Sequence, residues 1–202
     1  WKGSFVIARI SGAAARGILV ALLIATPALM LPDALNDSSQ ITMLVALIAC
    51  FLTFIEYNSN FPSIIEFRDA APFNRLRYVC LLVTIILLTL ILKQKVSPSV
   101  LGGAMTSIGT ILGNAMDFPF SPVRMIVLML PESASNALVT SVRTSAGMAY
   151  LISLISMGAF LVLVRIMNWP VRQGAFNVGV TLPLFDPTAG GDVIYRLQRD
   201  AR

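Results

Sequence analysis

The chain has 202 residues and a formal net charge of +5; 56% of its residues are hydrophobic and only 12% are charged. An average soluble domain carries about 25% charged residues, so this composition predicts one polytopic membrane domain. The sequence contains no histidine, which excludes histidine-ligated haem, chlorophyll or zinc and any histidine-activated nucleophile.

The first predicted membrane span covers residues 10–31. Small residues recur at every fourth position on one helical face: Ala13, Gly17, Ala21 and Ala25. Small residues at this spacing let another helix approach closely in lipid, so we interpret them as a helix-packing interface. A polar, acidic loop at residues 32–40 leads to a second predicted span at residues 41–57.

Glu56 lies at the end of the second span. A carboxylate within a membrane is a candidate functional residue. We expect this one at the interface, paired with an arginine of the following loop, and a proton-handling role is the alternative. Arg68, Arg75 and Arg77 follow in the sequence, and we predict that they anchor the chain at the interface together with Trp169, which follows the last span.

Residues 78–92 contain no charge, glycine or proline. This run predicts a third span of about 22 Å, which is short against a hydrocarbon core of about 30 Å. Lysines at positions 93 and 95 and arginines at positions 75 and 77 flank the run, and their long side chains can extend to the interfaces on both sides.

The segment 98–131 combines a weakly hydrophobic helix with a break at Pro119 and Pro122. Ser97 followed by Pro98 is typical of a helix start. Gly109 and Gly113 form a GxxxG pair, which predicts close helix packing. Two interpretations are open: an amphipathic helix at the membrane face or in a groove between proteins, and a broken re-entrant pair such as transporters use. The first is favoured because the sequence shows no internal repeat.

The last predicted span covers residues 144–167. We therefore expect an all-α integral membrane protein with about four transmembrane helices plus periplasmic amphipathic or re-entrant helices. Its domains would be a transmembrane helical domain at residues 1–168 and a cytoplasmic C-terminal tail at residues 169–202.

The basic residues are distributed unevenly about four such spans. Eleven of the 15 Lys and Arg residues fall on the side of the termini, and four fall on the other side: Lys93, Lys95, Arg124 and Arg143. Because basic loops stay in the cytoplasm, this distribution predicts a multi-pass protein of the bacterial inner membrane with both termini cytoplasmic. Basic residues that flank apolar runs are topology signals, so we expect no nucleic-acid partner.

Two strings resemble a group of polytopic inner-membrane proteins from alphaproteobacteria, purple phototrophs among them. They are FPSIIEFRDAAPFNR at residues 61–75 and LFDPTAGGD at residues 184–192. The resemblance implies a bacterial inner membrane and a photosynthetic or respiratory setting, and it implies no active residues.

These observations favour a non-catalytic accessory, assembly or stabilising subunit of a larger inner-membrane bioenergetic complex. We expect no enzymatic activity, catalytic residue, metal site, cofactor of its own or soluble small-molecule substrate. Other integral membrane subunits and phospholipids are the expected partners, with lipid or quinone as possible occupants of grooves. The alternative is a small transporter or channel that uses the broken region 98–131.

Overall fold

A computed structural model describes residues 2–31, 37–60, 63–65 and 71–167. This part of the chain forms helices and no strands, which confirms the predicted all-helical class for the described residues. The helices are α1 (Lys2–Met30), α2 (Asp37–Asn58), α3 (Ala71–Lys93), α4 (Val100–Ala115), α5 (Pro122–Leu128) and α6 (Asn136–Met167).

Four of these helices are long and apolar enough to cross a membrane. The candidate spans are Ile7–Met30, Ser38–Asn58, Phe73–Lys93 and Asn136–Met167. They correspond to the four spans that hydropathy predicts. Within the described residues, α4 and α5 are not among these candidates.

Helix α6 begins at Asn136, eight residues before the predicted start of the last span. Half of these eight residues are polar, Asn136, Thr140, Ser141 and Arg143, so hydropathy places the start of the span too late. The hydroxyl of Ser135 accepts a hydrogen bond from the Leu138 N–H at 3.3 Å, and the Thr140 hydroxyl donates to the Asn136 carbonyl at 2.9 Å. The Ser135 cap stabilises this start of the helix, and the Thr140 hydroxyl is satisfied within the helix.

The start of α4 also differs from the prediction. The N-cap is Ser99 and not Ser97: the Ser99 hydroxyl accepts from the Gly102 N–H at 3.0 Å. The side-chain oxygen of Gln94 accepts from the Ser99 N–H at 2.8 Å, which ties the cap to the residues that follow α3. The Ser-Pro pattern does start a helix at α5, where Ser121 is the N-cap and Pro122 is the first helical residue.

The described residues fall into two compact units. The first lies within Trp1–Ile24, Ile41–Arg75 and Leu161–Arg202, and the second within Ala25–Gln40 and Leu76–Phe160. In unit 1, Ala13 and Ala46 are buried. In unit 2, the core consists of Ile91, Met148 and Ile152, with four partly buried side chains around it: Leu87, Leu88, Met105 and Leu112. The predicted tail at residues 169–202 lies outside the described residues.

Candidate functional site

Helices α4 and α6 cross with their backbones in direct contact. A Cβ atom added to Gly113 would lie 2.6 Å from the carbonyl oxygen of Arg143, and one added to Gly147 would overlap the backbone of Gly113. A Cβ atom on Gly109 would lie 2.8 Å from Cγ2 of Thr144. Gly109 and Gly113 therefore pack against α6 of the same chain. Sequence analysis missed Gly147, although Thr144 and Gly147 are a small pair at helical spacing.

A cavity of about 190 Å³ lies beside this crossing, between the end of α3, α4 and the start of α6. It is lined by Ile91, Gln94, Lys95, Thr106, Thr110, Ala137, Thr140, Ser141 and Thr144. The hydroxyls of Thr106 and Thr110 donate to carbonyls of their own helix at 2.8 Å, and Lys95 Nζ donates to Ser141 Oγ at 2.6 Å. These three donors are thus engaged within the chain.

Three charged residues meet where α4 ends, and we call Asp117, Arg124 and Arg143 the Asp117 cluster. Oδ2 of Asp117 lies 2.8 Å from Nε of Arg143, and Oδ1 lies 3.4 Å from Nη1 of Arg124. The Arg143 Nε is buried, but its N–H is not directed along a hydrogen bond. We therefore read the 2.8 Å contact as an ion pair only. The Asp117 side chain is 10% exposed, whereas that of Arg124 is 46% exposed.

In unit 1, α1 and α2 also pack through a glycine. A Cβ atom on Gly17 would lie 2.7 Å from the carbonyl oxygen of Cys50. Of the predicted packing positions in this unit, Ala13 is buried and Ala21 is half-buried; Ala25, which belongs to unit 2, is also buried. The structure thus places Gly17 against a helix of this chain, so a large residue there would disturb the chain itself.

Two arginines of α1 contact the end of α2. Arg9 Nη1 donates to Asn60 Oδ1 at 2.8 Å, and the Arg16 guanidinium lies 4.7 Å from the centre of the Tyr57 ring. Such a cation–π contact contributes about 0.5–1 kcal/mol at an exposed site. These contacts fix the register of α1 and α2 at one end of unit 1.

Glu56 organises the chain that follows α2. Its Oε1 accepts hydrogen bonds from the backbone N–H groups of Ser63, Ile64 and Ile65 at 2.6, 3.0 and 3.2 Å, and Oε2 accepts from the Ser63 hydroxyl at 3.0 Å. The Glu56 residue is only 3% exposed. Its carboxylate thus acts as a clamp on this loop. We expected an arginine of the following loop as its partner; of these arginines, Arg68 lies outside the described residues.

The remaining predicted positions are dispersed. Arg75 and Arg77 are exposed near the start of α3, and Trp169 lies outside the described residues. Both cysteines are free and half-buried. Within the described residues, no three His, Cys, Asp or Glu side chains are grouped so that they could hold a metal ion.

No known family model matches the chain, and comparisons with curated proteins and with solved structures also give no match. A functional proposal for this chain therefore rests on its sequence, its fold and the geometry of its residues.

Proposed function

We propose that the chain is a non-catalytic accessory, assembly or stabilising subunit of a larger inner-membrane bioenergetic complex, photosynthetic or respiratory. The observation that supports this most directly is the low burial of its apolar helices. Only 11–17% of the most apolar window of each candidate span is buried within the chain. Most residues of these windows are thus at least partly exposed to lipid or to the helices of partner subunits.

Gly158 offers a position for close contact with such a partner. It lies inside α6, is exposed, and an added Cβ atom there would meet nothing within 4 Å. Glycine inside a helix costs about 0.5–1 kcal/mol relative to alanine. In lipid, helix association depends on close packing at small residues, because apolar area alone gives no driving force. An uncovered glycine therefore fits a contact with another subunit.

The sequence supports a role without chemistry of its own. With no histidine in the chain, the proposal assigns pigment, haem or metal chemistry to partner subunits. The setting, the inner membrane and the cytoplasmic termini come from the resemblance and from the charge distribution, and they are part of this proposal.

The test is mild-detergent extraction of the tagged chain from its source membranes, followed by native electrophoresis and mass spectrometry. We expect a large complex to co-purify. Gly158→Leu should leave the amount of inserted chain unchanged while reducing the co-purified subunits several-fold. Met157→Leu, at a neighbouring residue that is 57% exposed, is the matched control and should change neither. Gly17→Leu should lower the amount of the chain itself, because Gly17 packs against Cys50.

A chain that migrates alone, and whose deletion leaves every large bioenergetic complex at normal abundance and activity, would refute this proposal. The transporter or channel hypothesis would then take its place. The cavity beside Thr106 and Thr110 in the region 98–131 is the observation that favours that second candidate.

A further inference from the structure

The length of α6 sets the depth of the Asp117 cluster. Arg143 and Arg165 lie on this one helix, 22 residues apart. At the α-helical rise this separation is about 33 Å, close to the hydrocarbon thickness of about 30 Å. When α6 crosses the bilayer, as the proposed function requires, Arg143 and its partner Asp117 lie at the level of the lipid headgroups.

Large apolar side chains point outward next to this cluster. Phe120 is 94% exposed, and Met125, Leu128 and Met129 on and after α5 are 60–83% exposed. Arg124 lies among them in the sequence, so this short segment pairs a basic group with an apolar surface. That combination is typical of elements that lie in the interface plane of a membrane.

Hydrogen bonds and buried neighbours stabilise the turn that contains Phe120. Phe120 has a φ of +67°, a conformation that costs a side-chain-bearing residue about 1–2 kcal/mol. The next residue, Ser121, is buried, its N–H donates to the Phe118 carbonyl at 3.0 Å, and its hydroxyl caps α5. Val123 is fully buried. The chain therefore keeps a strained backbone at a residue whose ring points away from the protein.

The Asp117 cluster carries a surplus of positive charge. Two guanidinium groups share one carboxylate, which is the only acidic group of the described residues within 4 Å of either. Arg124 contacts that carboxylate at 3.4 and 3.5 Å, at the long end of hydrogen-bonding distance, and its side chain is 46% exposed. Among the described residues, only the Asp117 carboxylate engages the Arg124 guanidinium, and a guanidinium fork matches the geometry of a phosphate.

We infer that the Asp117 cluster binds the phosphate of an anionic phospholipid, with Phe120 and the apolar side of α5 inserted among the acyl chains of the same leaflet. We assign this surface to the membrane because the Asp117 cluster lies at headgroup level, carries positive charge and adjoins exposed apolar side chains. The length of α6 places the cluster at headgroup depth. Arg124 and Arg143 provide charge complementary to a phosphate, and the exposed side chains of α5 provide an apolar surface that can enter the bilayer. The inference rests on the proposed membrane insertion and is independent of the proposed role as a subunit.

The experiment uses the full chain in nanodiscs of phosphatidylcholine with a minor fraction of phosphatidylglycerol. A single tryptophan reports on the site: Phe120→Trp in a background of Trp1→Phe and Trp169→Phe. Bromine is placed on the upper acyl chain of one lipid or the other. We expect stronger quenching by brominated phosphatidylglycerol than its mole fraction gives. An arginine near a membrane surface contributes electrostatic binding free energy toward anionic lipids. Arg124→Gln should therefore reduce the preference for phosphatidylglycerol about fivefold at low salt.

Arg165→Gln removes the same charge at the other end of α6 and is the matched control, which should keep the preference. Arg143→Gln should act like Arg124→Gln, and the exposed Arg124 keeps the test valid where the Arg143 variant fails to fold. Equal quenching by both lipids in proportion to their amounts would overturn the inference. Quenching of the tryptophan by aqueous acrylamide but by neither brominated lipid would also overturn it. So would a tryptophan that neither acrylamide nor brominated lipid quenches, because protein would then cover the site.

Discussion

At the scale of single residues, Glu56 shows how a charged side chain is accommodated at the end of an apolar helix. Its carboxylate replaces water as the acceptor for consecutive N–H groups of residues 63–65. Hydrogen bonds to an ionised acceptor are shorter and stronger than neutral ones. These hydrogen bonds hold the residues that follow α2 against the end of the helix.

Glu56→Ala should expose these N–H groups and loosen the loop after α2. Removing a charged acceptor costs about 1–3 kcal/mol. We expect the lower part of this range, because Ser63 and Ile64 are exposed and water can replace the carboxylate. Hydrogen exchange at the amides of residues 63–65 should accelerate at least several-fold, and Glu56→Gln, which keeps one acceptor oxygen, should fall in between.

Glu132→Ala is the control for this prediction, because Glu132 is an exposed glutamate between α5 and α6 and its loss changes the net charge equally. Unchanged exchange at residues 63–65 in Glu56→Ala would show that other contacts hold the loop.

At the scale of helices, the crossing of α4 and α6 shows the closest approach found at any glycine of the described residues. Glycines on both helices bring the two backbones into contact at Gly113 and Gly147. This geometry lets dispersion forces and weak Cα–H···O contacts stabilise the pair without an apolar driving force. It also makes the crossing sensitive to a single methyl group.

Gly147→Ala should therefore destabilise the fold. The new methyl group would overlap the backbone of Gly113, and backbone cannot move aside as a flexible side chain can. Overpacking of this kind costs about 1–3 kcal/mol. The free energy of unfolding in mixed detergent micelles, measured by denaturant titration, should fall by about that amount.

Gly158→Ala is the matched control in the same helix. Open space surrounds its added methyl group, and alanine is the better helix former, so the stability of the isolated chain should stay equal or rise by about 0.5–1 kcal/mol. Equal losses in both variants would mean that helix propensity and not the crossing sets the effect.

Sequence analysis predicted the helices better than their contacts, for a physical reason. A span is a local property, since lipid requires a continuous run of apolar residues whose backbone bonds are satisfied within the run. The pairing of Gly113 with Gly147 joins residues far apart in the chain, and periodicity alone does not show which small faces meet. Likewise, the first eight residues of α6 are half polar, and they are held by the Ser135 cap and by the contact of Arg143 with Gly113 of α4. A hydropathy average does not register such contacts.

At the scale of the whole molecule, the contacts within unit 2 agree with the charge distribution, which assigns Lys93, Lys95, Arg124 and Arg143 to one side of the membrane. Lys95, after α3, donates to Ser141 near the start of α6, so these two helix ends lie at one level. Arg124 and Arg143 converge on Asp117 where α4 ends. The four basic residues that sequence analysis assigned to one side of the membrane thus lie at the ends of helices that meet in unit 2.

The topology prediction is that this side is periplasmic, because the larger number of basic residues lies on the other side. In a background of Cys50→Ala and Cys80→Ala, single cysteines at Asn36 and Ser133 should react with a membrane-impermeant maleimide added to intact spheroplasts. A cysteine at Gly190 should react only after the membrane is permeabilised. The physical reason is the cost of moving basic loops across the membrane against its potential, about 2.3 kcal/mol per charge at 100 mV. Labelling at Gly190 in intact spheroplasts, with Asn36 and Ser133 protected, would invert the orientation and place the Asp117 cluster at the cytoplasmic leaflet.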